Sequence, residues 1–377
     1  MLRLAFDAKR LFNNFTGLGN YSRTLINNLA TQYPEHAYFL YTTSIRKNSQ
    51  TKIFLDQASF QIRRPQYLPA SYWRSQGIKR NLQKDDIQLY HGLSHEIPYG
   101  LQRKNIKSVV SIHDLIFLKY PELYPFFDRQ IYNHKFKYSC RHADQIIAIS
   151  ESTKKDIINF YDIAEEKIQV IYQNCDPIFS IKINRGHIAS VLQKYQIPTS
   201  YLLYVGAITA RKNLLNIVKS LELLPKDLQL PLVVVGKGKN YKKEVQKYIQ
   251  QKGLDSLIHF PGHIDQEDLP ALYQGAAIFI YPSFYEGFGI PIIESLYSKT
   301  PVITSQRSSL PEAGGPNAHY IDPDEPEQIS KGIEKILTDD EYRNQMIQKS
   351  FEYVQQFNSE SSSQTMIEMY QRVLELK

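Results

Sequence analysis

Short runs of apolar and β-branched residues alternate along the chain with longer amphipathic segments. The runs at residues 2–6, 109–112, 201–205 and 278–281 are typical of strands buried on both faces of a parallel sheet. The segments between such runs, for example residues 213–224, repeat their apolar positions with the period of a helix that packs on a sheet. Because the alternation occurs twice, the chain is predicted to form two doubly wound α/β domains.

A polar stretch separates the two sets of predicted strands. It begins at Asp176-Pro177 and contains Pro198. A length of 377 residues also exceeds what one ordinary hydrophobic core accommodates. We therefore predict a boundary within residues 176–195. The predicted segments are a first domain over residues 1–180, a second domain over residues 195–355, and a C-terminal helix over residues 356–377 that can pack back on the first domain.

The positive charge of the chain is concentrated in its first half. The net charge is +7 for the whole chain and +8 for residues 1–180. This surplus either serves solubility or attracts anionic lipid headgroups or a phosphate-bearing acceptor. The aromatic and basic segment around Tyr67, Trp73 and Arg74 also has two interpretations. It is an element that contacts a membrane interface or the acceptor, or a helix that packs Trp73 into the first domain.

Composition also bears on the compartment. No stretch approaches the roughly 20 apolar residues of a membrane span, and Met1 leads directly into a predicted strand rather than a signal peptide. Cys140 and Cys175 have the spacing of neither a disulfide framework nor a metal site. We therefore expect a cytoplasmic protein. If the basic first half is attracted to lipids, the protein would lie peripherally on the cytoplasmic face of the inner membrane. We expect no nucleic-acid partner.

The segment Glu286-Gly-Phe-Gly-Ile-Pro-Ile-Ile-Glu294 follows a predicted strand and opens a predicted helix. Ligands of doubly wound folds bind at this edge of the sheet. The glycines let the backbone approach a ligand closely, and the helix N-terminus suits a phosphate. Two carboxylates there can accept hydrogen bonds from sugar hydroxyls. In the alternative interpretation, Glu286 caps the helix and Glu294 pairs with a lysine.

Three further segments follow predicted strands. Arg211 and Lys212 lie at the start of a predicted helix, where positive side chains are disfavoured by the helix dipole. A basic pair at this position therefore either binds a diphosphate or is exposed to solvent. Gly17 and Gly19 permit close backbone approach but lack the third glycine of a dinucleotide fingerprint. His113, followed by Asp114, lies at a strand end, where a lone histidine is more often structural than functional.

Together these segments are similar to the retaining GT-B glycosyltransferases of family 4. The E-x7-E spacing, the Arg-Lys-Asn-Leu segment, the glycine loop and the His-Asp pair all match, and the resemblance extends over nearly the whole chain. It implies a GT-B fold, in which two doubly wound Rossmann-like domains face each other across a cleft. It implies an enzyme that moves a hexose from a nucleotide-diphosphate sugar to an acceptor hydroxyl with retained anomeric configuration.

The resemblance also implies roles for individual residues, some of which recur in two groups. The catalytic residues are His113 and Glu286, and Asp114 could orient the histidine ring. The donor diphosphate contacts are Arg211, Lys212, Gly17, Gly19, Gly289 and Ile290. The donor sugar contacts are Glu286, Gly287, Phe288 and His113. The ribose and base contacts are Glu294, Gly262, His263 and Ile264. The candidate acceptor contacts are Asn20 and Tyr21.

The sequence predicts the donor and the acceptor less specifically than it predicts the type of reaction. The local sequence around Glu286 resembles that of mannosyl- and rhamnosyl-transferring enzymes of surface-polysaccharide assembly. This resemblance favours GDP-mannose over UDP-sugars as the donor. It also favours a glycan or a lipid-linked saccharide as the acceptor. No metal is expected. Asp322-Pro-Asp324 has the D-x-D spacing of metal-dependent glycosyltransferases but resembles a late loop of family 4. The alternatives are a sugar-nucleotide epimerase, a glycan phosphorylase, or a non-catalytic sugar-binding protein of the cell exterior.

Overall fold

The computed structural model describes residues 1–66 and 68–375, which form two compact units. The first unit comprises Met1–Asn174 together with Asn358–Lys377, and the second comprises Cys175–Phe357. The division at Asn174 lies just before the predicted boundary at 176–195. The reason is that the intervening segment packs within the second unit, where the Gln274 amide accepts from Ile183 N and donates to Ile181 O at 3.0 and 2.8 Å.

The first unit is built on a seven-stranded parallel sheet with the order β3-β2-β1-β4-β5-β6-β7. Its strands are β1 (Arg3–Asp7), β2 (Ala37–Tyr41), β3 (Phe60–Arg63), β4 (Leu89–Gly92), β5 (Lys107–Ile112), β6 (Gln145–Ala148) and β7 (Ile168–Val170). The helices that precede residue 174 are α1 (Lys9–Asn13), α2 (Gly17–Gln32), α3 (Ser49–Asp56), α4 (Ala70–Tyr72), α5 (Ile78–Lys84), α6 (Ile116–Lys119), α7 (Phe126–His142) and α8 (Glu151–Tyr161). A π-helical turn, Trp73–Gly77, joins α4 to α5.

The second unit is built on a six-stranded parallel sheet with the order β10-β9-β8-β11-β12-β13. Its strands are β8 (Leu202–Val205), β9 (Leu232–Val235), β10 (Ile258–His259), β11 (Ile278–Tyr281), β12 (Val302–Ser305) and β13 (His319–Ile321). Its helices are α9 (Arg185–Lys194), α10 (Leu214–Glu222), α11 (Asn240–Lys252), α12 (Leu269–Gly275), α13 (Ile290–Tyr297), α14 (Leu310–Gly314), α15 (Pro326–Thr338) and α16 (Asp340–Val354).

The chain ends in α17 (Ser359–Glu375), which packs within the first unit. Its buried face joins the core on one side of the first sheet, beside Phe6 and Leu29. The Tyr370 hydroxyl is 2.6 Å from His91 Nδ1, which ties the helix to β4. The residues of this face in that core are Met366, Ile367, Met369, Tyr370 and Val373.

The order of strands reverses once in each sheet, and these points locate the candidate sites. In the first sheet the reversal lies between β1 and β4, and in the second between β8 and β11. Crossovers leave to opposite faces at such a point, which opens a crevice at the carboxyl ends of the strands. Among the described residues, no helix is long and apolar enough to cross a membrane.

Candidate active site

Glu286 lies after β11 and holds the two cations that follow β8. Its Oε1 is 2.9 Å from Arg211 Nη1 and 3.0 Å from Lys212 Nζ. The same oxygen accepts hydrogen bonds from the Tyr281 hydroxyl at 3.0 Å and the Ser283 hydroxyl at 2.9 Å. The predicted sugar-binding carboxylate and the predicted diphosphate-binding cations therefore form one cluster.

The loop that carries Glu286 is fixed by two serines that sequence reasoning missed. The backbone N–H of Glu286 donates to Ser308 Oγ at 3.0 Å. The Ser309 hydroxyl donates to the carbonyls of Glu286 and Phe288 at 2.8 and 2.9 Å. The Phe288 ring packs edge-on against Phe357, with centroids 5.4 Å apart. Its side chain is thus used in packing, and contact of a ligand with the backbone of this loop stays a prediction.

Gly289 precedes α13 with a backbone conformation that favours glycine. Its φ is +124°, and a Cβ there would lie 3.2 Å from Ala313 and 3.3 Å from Leu310. Ile290 and Pro291 then form the first turn of α13, where a missing N–H is tolerated. The N-cap residue of α13 is Gly289 rather than Glu286, whose Oε1 is engaged by Arg211 and Lys212.

The charge of the cluster suits an anionic ligand. Burial alone would raise the pKa of Glu286, but the charges and hydrogen bonds of Lys212 and Arg211 lower it to about 2. Glu286 is therefore a carboxylate at physiological pH. Lys212 Nζ also donates to the Tyr281 hydroxyl, and Arg211 donates to the Tyr285 carbonyl. Two cations against one carboxylate leave a positive site at the sheet edge.

Glu294 lies in α13 and has a different environment. Its Oε2 accepts a hydrogen bond from the Tyr273 hydroxyl at 2.9 Å, and it makes no ion pair with a lysine in the described part of the chain, so that interpretation is wrong. Burial raises the pKa of Glu294 to about 7, and the nearby Asp176 adds to this effect. Near neutral pH its carboxyl group therefore takes up or releases a proton readily.

The three predicted base contacts follow β10, which β9 separates from β8 in the sheet. Gly262 has a φ of +85°. The His263 side chain is exposed, with Nε2 3.6 Å from Asp265 Oδ1, and Ile264 is buried. The structure places these residues at the same edge as Glu294. Their contact with a base stays a prediction.

His113 follows β5 in the first unit, and both of its ring nitrogens have partners. Nε2 donates to the Leu93 carbonyl at 2.8 Å, and the Gln173 amide donates to Nδ1 at 3.0 Å. Burial lowers the pKa of His113 to about 4, so the ring is neutral. Leu93 and Gln173 thus hold the two ring nitrogens, and the role of Asp114 in orienting the ring stays a prediction. A sugar hydroxyl has to displace one of these partners to reach a ring nitrogen.

The candidate acceptor contacts on α2 are already engaged within the first unit. The Tyr21 ring stands edge-on to the His113 ring, with centroids 4.6 Å apart. Its hydroxyl lies 2.7 Å from Ser111 Oγ. Asn20 Oδ1 accepts from Arg23 Nη2 at 2.5 Å. Tyr21 therefore supports His113, and contact of Asn20 or Tyr21 with an acceptor stays a prediction.

Two matches with family models cover most of the chain. Residues 15–177 match the model described as Glycosyltransferase Family 4. Residues 193–353 match the model described as Glycosyl transferases group 1. The chain belongs to this glycosyltransferase family. In this glycosyltransferase, the first match ends at residue 177 and the second begins at residue 193. The change from one model to the other thus lies close to the division of the two units after Asn174.

Relatives resemble this glycosyltransferase over 60–98% of its length, and solved structures resemble it over nearly all of it. The O-antigen chain mannosyltransferase B of Escherichia coli is 29% identical, with 98% of this chain and 99% of the relative covered. The O-antigen chain mannosyltransferase RfbU of Salmonella typhimurium is 27% identical over 60% of each chain. The crystal structure of Anabaena HepE in complex with UDP and glucose has a TM-score of 0.77 at 18% identity and covers 98% of this chain and 99% of its own. The structural likeness establishes the GT-B fold.

In this glycosyltransferase, the two carboxylates of the D-x-D segment, Asp322 and Asp324, form ion pairs with the side chain of Arg307. Arg307 Nη2 lies 2.7 Å from Asp322 Oδ1 and 2.6 Å from Asp324 Oδ2. A metal at this position would have to displace the guanidinium. Among residues 1–66 and 68–375, no group of three side chains is arranged to hold a metal ion.

The two glycines in the first turn of α2 have different steric requirements. A Cβ on Gly19 would clash with the carbonyl oxygen of Asn14, whereas a Cβ on Gly17 would meet open space. The Asn14 side chain accepts from the backbone N–H of Gly19 at 3.2 Å, which fixes this turn. Gly19 is therefore required by the fold, and Gly17 is not.

This difference predicts opposite outcomes for two alanine variants. Gly19→Ala should destabilise the enzyme by about 1–3 kcal/mol, the usual cost of overpacking, which a lowered melting temperature would reveal. Gly17→Ala should melt like the wild type but bind a nucleotide sugar more weakly if the donor approaches this backbone. Equal melting temperatures for both variants would contradict the steric argument.

Proposed function

We propose that this glycosyltransferase transfers mannose from GDP-mannose, with retention of configuration, to a hydroxyl of a glycan or lipid-linked saccharide in surface-polysaccharide biosynthesis. The observation that carries the proposal is the cluster of Arg211, Lys212 and Glu286 at the strand-order reversal of the second sheet. The mannosyltransferase relatives support the choice of sugar.

The cluster suits a departing nucleoside diphosphate. In the transfer, the bond between the sugar C1 and the diphosphate oxygen breaks, and a bond forms between C1 and the acceptor oxygen. The acceptor proton passes to an oxygen of the leaving diphosphate. Negative charge accumulates on that diphosphate, so cations fixed in advance by Glu286 and Tyr281 lower the barrier without reorganising. Arg211 supplies a planar fork of donors, and Lys212 supplies a point charge.

In this proposal Glu286 has two tasks. It holds Arg211 and Lys212 before the donor binds, and its second oxygen is the natural acceptor for a hydroxyl of the transferred sugar. Because its pKa is held at about 2, it stays an acceptor throughout the physiological range. Glu294, one turn into α13, accepts from the ribose hydroxyls.

The role of Glu294 predicts a pH dependence of nucleotide binding. A carboxylate accepts from ribose hydroxyls better than a neutral carboxyl group, and the pKa of Glu294 is raised to about 7. Affinity for GDP should therefore fall as the pH drops below 7, approaching about tenfold for each pH unit. Calorimetry on Glu294→Gln provides the control, because titration of the nucleotide phosphate is common to both proteins. Identical pH profiles would contradict the ribose role.

The donor can be identified by thermal stabilisation. A ligand present at about 100 times its dissociation constant stabilises the folded state by about 2.7 kcal/mol. We expect GDP-mannose to raise the melting temperature more than UDP-, dTDP- or ADP-sugars at equal concentration. A larger rise with UDP-glucose would overturn the choice of GDP-mannose while leaving the diphosphate site intact.

We also propose that the first unit meets an anionic membrane surface, through the start of α7. Phe126 and Phe127 are 58% and 79% exposed, and Leu123 and Ile131 are exposed beside them. We name these four residues the α7 tip. Arg129 lies over the Phe126 ring at 5.5 Å, so a cation accompanies the apolar side chains. This composition suits the interface of a bilayer with anionic headgroups.

The α7 tip replaces the segment around Trp73 as the membrane-contacting element. Trp73 is 3% exposed and donates from Nε1 to Asn81 Oδ1 at 3.0 Å. It belongs to a core of the first unit, so the packing interpretation is confirmed for this side chain. Tyr67 lies outside the described residues.

Replacing the apolar side chains of the α7 tip should abolish membrane binding. Phe126→Ser/Phe127→Ser is expected to lose sedimentation with vesicles of phosphatidylcholine and phosphatidylglycerol, because both large apolar groups are removed from the interface. Leu223→Ser, which changes an exposed leucine of the second unit, should bind like the wild type. Wild-type protein that stays in the supernatant at low salt would contradict the membrane role.

A further inference from the structure

Two buried residues other than glycine have a left-handed backbone, and each follows a strand at a strand-order reversal. Asn213 follows β8 with a φ of +59°, and His95 follows β4 with a φ of +66°. They are 3% and 7% exposed, whereas the other six residues of this kind in the described ranges are exposed or half-buried. Such conformations cost roughly 1–3 kcal/mol and concentrate at functional sites.

Asn213 and His95 differ in how their polar side chains are satisfied. The Asn213 amide donates to the carbonyls of Pro323 and Pro282 at 2.6 and 3.3 Å. His95 Nδ1 is enclosed and has no hydrogen-bond partner, and the buried Ser94 hydroxyl beside it also has none. An unsatisfied buried polar group costs about 1–3 kcal/mol. The loop after β4 therefore concentrates polar atoms that the described chain leaves unpaired.

The ring of His95 is held rigidly next to His113. It stacks on Phe136 of α7, with centroids 4.3 Å apart and an interplanar angle of 2°. It lies 5.2 Å from the His113 ring. The His95 backbone N–H donates to the Ser111 carbonyl at 3.0 Å, which anchors the loop to β5. The imidazole is thus fixed at the edge of the sheet where a substrate of the first unit would lie.

The His95 ring is a neutral hydrogen-bonding group. Burial holds the pKa of His95 well below its usual range, and the neighbouring His113 and Arg10 add to this effect. A neutral imidazole carries one N–H. Nδ1 is the enclosed nitrogen. Because orphaned buried N–H groups are rarer than unsatisfied buried acceptors, we assign the proton to Nε2. Such a donor suits the oxygen of an uncharged hydroxyl.

We propose that His95 binds the acceptor of the transfer reaction, donating from Nε2 to a hydroxyl oxygen of its saccharide beside His113. The proposal rests on the proposed glycosyl transfer and extends it to a residue of the first unit. The strained backbone and the stacking on Phe136 fix the donor before the acceptor arrives, which reduces the entropy lost on binding. His95 is thus a specificity residue for a neutral glycan.

Two substitutions at His95 separate this role from a structural one. His95→Phe retains an aromatic ring against Phe136 and removes the N–H donor. His95→Asn retains a side-chain donor on a residue that tolerates a left-handed backbone. Three quantities should be measured for each: the melting temperature, the affinity for GDP by calorimetry, and the KM for an oligomannoside acceptor with GDP-mannose as donor.

We expect His95→Phe to raise the acceptor KM about two- to tenfold, as the loss of one neutral hydrogen bond implies. Affinity for GDP should stay near the wild-type value. The melting temperature of His95→Phe should fall, because a bulky side chain is disfavoured on a left-handed backbone. His95→Asn should recover part of the acceptor affinity. An unchanged KM in His95→Phe would overturn the proposal. Equal loss of GDP affinity would assign His95 a structural role. Absence of transfer by the wild type would refute the proposed function instead.

Discussion

Glu286→Gln is expected to lower the turnover of mannose transfer by at least about 100-fold, the usual effect of removing one preorganised electrostatic group from an active site. Glutamine can still accept hydrogen bonds from Tyr281 and Ser283, but it brings no charge to Arg211 and Lys212. The two cations then lose their common anchor, and the sugar hydroxyl loses an ionised acceptor. Steady-state kinetics with GDP-mannose should show the loss in kcat.

Glutamine is a better test than alanine at this position. Breaking a buried ion pair by removing one partner costs about 3–5 kcal/mol, so Glu286→Ala would lower both stability and activity. Glu222→Gln is a matched control. Glu222 also accepts from a tyrosine hydroxyl, that of Tyr248, and pairs with Lys252. Wild-type turnover in Glu286→Gln would contradict the catalytic role.

Arg211→Ala/Lys212→Ala is expected to weaken GDP binding by at least about 100-fold, since each charge-assisted hydrogen bond contributes about 1.5–3 kcal/mol. Calorimetry at constant ionic strength measures the change directly. Lys252→Ala/Arg343→Ala removes the same charge from ion pairs elsewhere in the second unit and should bind GDP normally. Equal affinity in both double variants would refute a diphosphate site at Arg211 and Lys212.

The same double substitution should change the titration of Glu286. Burial raises the pKa of this group, and the charges and hydrogen bonds of the two cations are the main causes that bring it down to about 2. Without them, burial prevails and the pKa rises above the ordinary value for glutamate. Glu286 would then bind a proton as the pH falls toward its new pKa, so residual activity in the double variant should decline at a higher pH than in the wild type.

The central strands were predictable from sequence because they are buried on both faces and read as unbroken apolar runs. The edge strands β3 and β13 were not. Phe60–Arg63 and His319–Ile321 are short, and both mix polar with apolar residues, which gives neither an apolar run nor a long alternation. The extent of the second unit was likewise missed at its start, because α9 belongs to it through contacts with α12 rather than through local pattern.

For the site, residue types after each strand indicated which positions matter but not how they are joined. Nothing in the spacing of Arg211, Lys212 and Glu286 predicts that one carboxylate oxygen holds both cations. Ser308 and Ser309 fix the Glu286 loop from a different strand connection. Such partners are distant in sequence and carry no local signal.

His95 illustrates the same limit in the first unit. Its left-handed backbone and its enclosed, unpaired Nδ1 become visible only in three dimensions. The partners of His113 are also remote, since Leu93 and Gln173 flank it at separations of 20 and 60 residues.

The most direct test of the account is the anomeric configuration of the product formed from GDP-mannose. Purified enzyme should be incubated with GDP-α-mannose and an oligomannoside acceptor, and the new linkage analysed by NMR spectroscopy, with Glu286→Gln as the inactive control. The account predicts an α-linked mannose that requires both the donor and Glu286. A β-linked product, or equal product formation by Glu286→Gln, would contradict it.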